Sequence, residues 1–394
     1  MRIYIINANW GRGGPGGIAA DLYSVFEKAG HSCRFAYARE AAPAGVNTFR
    51  FSGKAEVYIH ALSARLFDNA GFMSHLATKK LIDDIQKFSP DVISIHNPLG
   101  YTIHVKMLMD FIRERGIPTC WTLHDCWLFT GHCTTNICPR LEEGCGRCPE
   151  RREFPASWFV DRSGVNLKNK AKWFSGIKNL YFVAPSQWIA DLAQNSYLRG
   201  NSTTVIQNGI DLTAFSPRES KLRERFHLEG KYVVLTVAGV WSKRKGAGYF
   251  YCLAEQMDNR YTFVMIGRNA DKALRDHPNI LHIPFTESRE ELAQWYTLAN
   301  VFVNPTMGDN FPTVNLEALA CGTPVVTFDT GGSGEAIGAC GEVVPRSDVS
   351  AMKRAVENCV SKRIPQEMCV EQAGKYDRDK RYGDYIALYQ KILK

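Results

Sequence analysis

What this chain of 394 residues lacks narrows it first. No uncharged apolar run approaches the ~18–20 residues that a bilayer-spanning helix needs. There is no helix-turn-helix pattern, no aromatic-basic RNA motif and no long basic tract, so no nucleic-acid partner is expected despite a net charge of +8. No fixed-period repeat or low-complexity segment interrupts it. The one Asp-x-Asp, Asp377-Arg-Asp379, lies near the carboxyl end outside any strand-end loop, so no metal is expected in the chemistry. The opening Met1–Ala8 reads as a first strand running into a glycine loop, not as a signal peptide. The chain is therefore expected in the cytoplasm, with its twelve cysteines reduced and no disulfide framework.

What is present is a globular composition, 45% apolar and 22% charged, in a length that suits two domains. Apolar, strand-like runs occur at Ile3–Asn7, Cys33–Ala38, Val92–His96, Thr119–Leu123, Leu180–Ala184 and Thr204–Gln207. A second series follows at Tyr232–Ala238, Thr262–Ile266, Ile280–Ile283, Val301–Asn304 and Val325–Phe328. Amphipathic stretches such as Ala77–Phe88, Lys106–Arg115 and Ala351–Val360 lie between them. Alternating strand and helix predicts an α/β fold of two doubly wound parallel sheets. The expected parts are residues 1–205, 206–377 and a final helix at 378–394 that crosses back to the first domain. Residues 1–205 hold 24 Lys and Arg against 17 Asp and Glu, whereas residues 206–394 hold 24 against 23. That one-sided excess suits an anionic membrane surface or a phosphorylated lipid acceptor.

Residues 304–328 carry the strongest signal: strand end, loop, helix, tight turn, next strand. Pro312 suits a helix start, and Gly322 follows the last apolar residue as a C-cap. Asp309 in the loop and Glu317 in the helix bracket the helix start. Between them Thr313, Val314 and Asn315 would offer free backbone N–H groups to a phosphate at the positive end of the helix dipole. A diphosphate flanked by hydroxyl-bearing sugars would use all of these.

The run Asp309-Asn-Phe-Pro-Thr-Val-Asn-Leu-Glu317 resembles the carboxylate-x7-Glu element of retaining enzymes in glycosyltransferase family 4. That resemblance implies the GT-B architecture, two Rossmann-like domains facing a cleft. It also implies that Glu317 holds ribose hydroxyls of a nucleotide-sugar, while Asp309 and Phe311 meet the transferred sugar. The first carboxylate of the family pattern is usually Glu, here shortened to Asp309, and Pro312 replaces a common Gly. In the turn Gly239-Val-Trp-Ser-Lys-Arg-Lys-Gly246, Lys245 falls on the family's diphosphate-binding lysine. Val240 stands where that family has an arginine, leaving Arg244 or Lys243 to supply the second charge. His124, closing the strand Thr119–Leu123, matches a histidine on the sugar and acceptor side.

Gly11, Gly13 and Gly16 satisfy G-x-G-x-x-G after a strand, which alone would suggest a dinucleotide-dependent oxidoreductase. The ribose-binding acid expected about 20 residues on has only Glu40 as a candidate, beyond the apolar run. The loop instead resembles the glycine turn of family 4, with Gly14, Gly16 and Gly17 facing the donor diphosphate. Cys133, Cys138, Cys145 and Cys148 are spaced C-x4-C-x6-C-x2-C in a segment, 126–150, that is poor in apolar residues. Such a set suits structural zinc, or reduced cysteines in an insertion; four thiolates leave no open catalytic position.

The reading is a retaining, metal-independent hexosyltransferase using a UDP- or GDP-sugar donor. His124, Lys245 and Asp309 would be its catalytic groups, with Arg244 and the 311–317 segment completing the donor site. The expected acceptor is a glycan or polyprenyl-diphosphate-linked saccharide of cell-surface polysaccharide, with the enzyme peripheral at the inner membrane face. An oxidoreductase and a non-catalytic GT-B scaffold subunit stay as alternatives.

Overall fold

In the computed structural model, residues 1–394 are described except 12, 41, 136–137, 139–142 and 269–276. The chain divides into two compact units, Met1–Gln207 with Tyr382–Lys394, and Asn208–Arg381. Among the described residues the first holds seven parallel strands: β1 Arg2–Ile6, β2 Ser32–Tyr37, β3 Thr48–Arg50, β4 Val92–Ile95, β5 Thr119–Thr122, β6 Leu180–Ala184 and β7 Thr203–Val205. Their order is β3-β2-β1-β4-β5-β6-β7. The second holds β8 Tyr232–Val240, β9 Tyr261–Arg268, β10 Ile280–Ile283, β11 Val301–Asn304, β12 Val325–Phe328 and β13 Gly341–Val344, ordered β10-β9-β8-β11-β12-β13. Helices cover both faces of each sheet, which explains why β1, β4, β5, β11 and β12 read as continuous apolar runs rather than alternating ones.

Each sheet reverses its strand order once, between β1 and β4 and between β8 and β11. Open α/β sheets bind ligands at the carboxyl ends of strands beside such a reversal. The loops that follow β8, β11 and β12 therefore matter most in the second unit, and those after β1, β4 and β5 in the first.

The final helix, Arg378–Ile392, turns Tyr382, Tyr385 and Tyr389 inward at helical spacing. All three are buried with Phe26, Val92 and Val183, and the Tyr389 hydroxyl meets Ser94 Oγ at 2.7 Å. No helix among the described residues is long and apolar enough to cross a membrane.

Candidate active site

Three loops at the carboxyl edge of the second sheet are laced together. After β8, Lys243–Lys245 form a single tight turn whose start is capped by Ser242. Gly246 closes it at φ +77, and a Cβ there would fall 1.8 Å from the Pro305 carbonyl oxygen, so only glycine lets the two loops touch. The loop after β11 answers with Met307 N–H donating to the Arg244 carbonyl at 2.8 Å. The Arg244 guanidinium donates to the Gly308 carbonyl at 2.8 Å. From the loop after β12, Gly332 N–H donates to the Asp309 carbonyl at 3.1 Å. The result of this lacing is an ion pair: Lys245 Nζ stands 2.6 Å from Asp309 Oδ2, both side chains partly exposed. Burial pushes the Asp309 carboxyl upward, but the Lys245 and Arg244 charges outweigh it and hold the group below its ordinary value.

The helix Thr313–Ala320 begins four residues later, with Pro312 at its N-cap and not inside it. Thr313 and Val314 lead the helix with their N–H groups, but the Asn315 N–H already donates to the Pro312 carbonyl at 3.2 Å. The Asn315 side chain is equally committed, accepting from Asn304 at 2.9 Å and donating to the Ser333 carbonyl at 2.8 Å. Asn315 thus departs from its expected phosphate role and ties the helix to the sheet. Phe311 departs too. Its ring is buried against Tyr376, with centroids 5.7 Å apart, because the loop must seal the core before the helix starts.

One turn into the helix, Glu317 Oε2 accepts a 2.9 Å hydrogen bond from the Tyr296 hydroxyl. Burial raises the Glu317 carboxyl above its ordinary value, and the Tyr296 hydroxyl opposes that rise only in part. A desolvated carboxylate has about four acceptor sites on its two oxygens, so with the Tyr296 and Thr313 hydroxyls engaged Glu317 keeps capacity for further hydroxyl donors. Tyr296 gave no signal in the sequence, since it belongs to an ordinary amphipathic helix, Arg289–Leu298.

Val240 confirms the gap in cation pattern only as a sequence fact, but the sheet puts another cation beside it. Val240 pairs in register with Arg268, the exposed last residue of β9. An irregularity between Val237 and Val240 sets that register, which no spacing rule in the sequence could have revealed.

In the first unit the glycine segment is a helix, not a loop. Helix Gly13–Lys28 takes up Gly14, Gly16 and Gly17 in its opening turns. Pro15 explains the shift, because a first-turn residue needs no N–H for intrahelical bonding. Gly16 is held close: a Cβ there would lie 3.3 Å from the Asn9 carbonyl oxygen. These glycines are therefore fixed at a helix N-terminus after β1.

His124, half-buried just past β5, is the outer end of a relay that runs into the core. Its Nε2 is 3.0 Å from His96 Nδ1, His96 Nε2 is 3.1 Å from Ser94 Oγ, and Ser94 meets Tyr389. Burial lowers His124 to about 3, so its imidazole is neutral near pH 7 and acts as a hydrogen-bonding group without charge. Asp125 is occupied nearby, accepting from Trp127 N–H at 2.9 Å and Asn97 Nδ2 at 3.2 Å.

The cysteine segment is partly described, since residues 136–137 and 139–142 within it are not. Cys145 and Arg147 adopt φ of +59 and +52, alternating with Gly144 and Gly146 at +85 and +103, so four successive residues form a tight left-handed knuckle. A thiol hydrogen bond to Cys133, with burial, raises the Cys148 thiol, and Cys145 lies within electrostatic reach of Cys133 and Cys138. The fully buried Lys170 also feels the Cys133 and Cys145 thiols; burial brings it down to about 7, and its Nζ donates to the Trp127 carbonyl at 2.6 Å. Among the described residues no three His, Cys, Asp or Glu groups already stand in a metal-holding arrangement.

Comparison with known proteins places this geometry. The profile of Glycosyltransferase Family 4 matches residues 12–214, and that of Glycosyl transferases group 1 matches residues 231–362. The chain is 23% identical over its whole length to the full putative colanic acid biosynthesis glycosyl transferase WcaC of Escherichia coli K12. Over 54% of the chain and 61% of the relative it is 26% identical to the N,N'-diacetylbacillosaminyl-diphospho-undecaprenol alpha-1,3-N-acetylgalactosaminyltransferase of Campylobacter jejuni. Among solved structures, sucrose-phosphate synthase from Thermosynechococcus elongatus superposes with a TM-score of 0.72 at 14% identity, covering 100% of this chain and 99% of that one. HepE of Anabaena in complex with UDP gives 0.68 at 15% identity over 99% of this chain and 100% of that one. The fold is GT-B, and the chain belongs to glycosyltransferase family 4.

Proposed function

We propose that this glycosyltransferase moves a hexose, with retention, from a UDP- or GDP-sugar to a polyprenyl-diphosphate-linked saccharide during cell-surface polysaccharide synthesis. The observation that carries the donor half is the Lys245–Asp309 pair set four residues before a helix start, with Glu317 one turn inside that helix. In this reading Lys245 and the amides of Thr313 and Val314 hold the diphosphate, Glu317 accepts two ribose hydroxyls, and Asp309 turns to the sugar. Arg244 positions the loop through Gly308, and Arg268 supplies the charge absent at Val240. In the first unit His124 is a neutral hydrogen-bonding group for substrate hydroxyls. No protein nucleophile is invoked. The leaving diphosphate gains charge as the glycosidic bond breaks, and preorganised cations and amides stabilise it without a metal. The acceptor half is supported by the Campylobacter relative, whose name specifies a diphospho-undecaprenol substrate, and by the net positive charge of residues 1–205. A lipid-linked acceptor would bring the enzyme to the membrane periphery.

Thermal-shift screening against UDP-, GDP- and ADP-sugars tests the donor half. One nucleotide class should raise Tm and be slowly hydrolysed without acceptor. Response to none of them would overturn the reading, and binding without any turnover would favour the scaffold alternative.

The cysteine knuckle is proposed to be a structural zinc site of Cys133, Cys138, Cys145 and Cys148. The donor set suits it, and the buried Lys170 ammonium beside the thiols would balance a tetrathiolate's negative charge. Elemental analysis of purified protein should find close to one zinc per chain, lowered by Cys148→Ser and by mild acidification as protons compete for sulfur. Metal-free protein that resists proteolysis across 126–150 would remove the zinc.

A further inference from the structure

The helix Lys54–Phe67 is inside out. Toward the protein it buries Val57, His60, Ala61 and Ala64, a small and partly polar set. His60 is satisfied there, with Nδ1 2.8 Å from Ser74 Oγ and Nε2 accepting from Gly71 N–H at 3.1 Å. The bulkier apolar residues face solvent instead: Tyr58 is 72% exposed, Ile59 64%, Leu62 52% and Phe67 54%. Tyr58, Ile59 and Leu62 follow helical spacing, so they form one stripe and are not scattered apolar residues.

A second element extends the stripe. Trp158 N–H donates to the Arg65 carbonyl at 2.7 Å, which seats the loop 151–162 against the end of the helix. Trp158 and Phe159 are 48% and 70% exposed, and the Arg65 guanidinium lies 5.7 Å from the Trp158 ring centroid. Arg151 donates to the Phe159 carbonyl at 2.8 Å, holding that ring outward. Beyond the first turn, Ala77 N–H donates to Glu56 at 2.9 Å, which brings Leu76, 72% exposed, beside the same helix.

We propose that this surface is where the protein lies on an anionic phospholipid membrane. The charge around it argues for that occupant. Segments 54–80 and 147–172, which build the patch, hold ten Lys and Arg against four Asp and Glu once the buried Lys170 and Asp68 are set aside. A helix with an exposed apolar stripe, flanked by Trp and Phe and rimmed by Arg, sinks its stripe into the headgroup boundary while cations meet lipid phosphates. A partner protein of ordinary surface charge would not select that basic rim. The inference deepens the lipid-linked acceptor reading, because it places the enzyme where such an acceptor's diphosphate is anchored.

Cosedimentation of the full chain with vesicles of phosphatidylcholine, with and without phosphatidylglycerol, tests it. Binding should require phosphatidylglycerol and weaken with salt. Ile59→Ser with Leu62→Ser should cut partitioning by about tenfold or more, and Arg151→Glu with Arg152→Glu should do so at low salt. The nucleotide-sugar thermal shift should stay unchanged in both variants, which shows that they are folded. Two results overturn the proposal: wild type that ignores anionic vesicles, or a concentration-dependent dimer abolished by Ile59→Ser with Leu62→Ser, which makes the stripe a contact between two copies. Vesicle binding without transfer to a polyprenyl-linked saccharide would leave the surface standing and remove only the acceptor reading.

Discussion

Glu317→Gln should weaken nucleotide-sugar binding by about 30- to 150-fold, the equivalent of about 2–3 kcal/mol. Glutamine is the informative substitution. Its amide oxygen can still accept from the Tyr296 hydroxyl, 2.9 Å from Glu317 in the native chain, so the buried tyrosine keeps a partner and the fold is spared. What is lost is the anion that the proposed site turns to the ribose, replaced by an NH2 that can only donate where two hydroxyls would also need to donate. The pH dependence gives a second signature. Burial raises the Glu317 carboxyl in the free protein, whereas donated hydroxyls favour its ionised form. Donor affinity in the native enzyme should therefore be full above that raised value and fall as pH drops through it. In the glutamine variant that fall should vanish. Calorimetric titration with the donor found by screening measures both effects, and an affinity within about twofold of native at neutral pH would move the ribose away from Glu317.

Much of this was legible because parallel sheets announce themselves. Buried strands such as Val92–Ile95 and Val325–Phe328 are covered on both faces, so the sequence shows them as solid apolar runs. Two edge strands, β3 and β13, escaped. Thr48–Arg50 has three residues, only one of them apolar, and Gly341–Val344 starts on a glycine; neither offers a hydrophobic run. At the site, the contrast runs between contacts local in sequence and those made by folding. Asp309, Thr313 and Glu317 lie on one helix start and could be read from spacing. The Lys245–Asp309 pair joins residues 64 apart, Arg268 reaches Val240 only through sheet register, and Tyr296 reaches Glu317 from a separate helix. Two local readings failed for equally physical reasons. Phe311 and Asn315 look like ligand groups in a motif, yet the first fills the core and the second spends its amide and side chain on holding the helix. The glycine segment read as a loop because glycine disfavours helix interiors, but in a first turn, beside Pro15 and against Asn9, that cost is small.

Lys245→Ala should lower kcat by about 100- to 1,000-fold while reducing donor affinity by less than about tenfold. The asymmetry follows from where charge appears. In the proposed donor site the ground-state diphosphate would already be stabilised by water and by the helix amides of Thr313 and Val314, and Lys245 would have to leave Asp309, 2.6 Å away, to reach it. Exchanging one anion for another gains little binding. In the transition state the leaving diphosphate carries more charge, and the ammonium then gains more from it than from Asp309. The same variant should alter the pH–rate profile. Lys245 is one of the two cations that hold Asp309 below the ordinary carboxylate range against burial. Without it the Asp309 carboxyl rises, so the acid limb of activity should move to higher pH, whereas Asp309→Asn should lose that limb. Arg244→Ala removes the bond to the Gly308 carbonyl, 2.8 Å in the native chain, and should loosen the loop that carries Asp309, raising KM along with lowering kcat. Steady-state kinetics across pH on the three variants separates these roles. Equal losses in kcat and affinity for Lys245→Ala, with an unmoved acid limb, would take the transition-state role from Lys245 and leave it to Arg244 or Arg268.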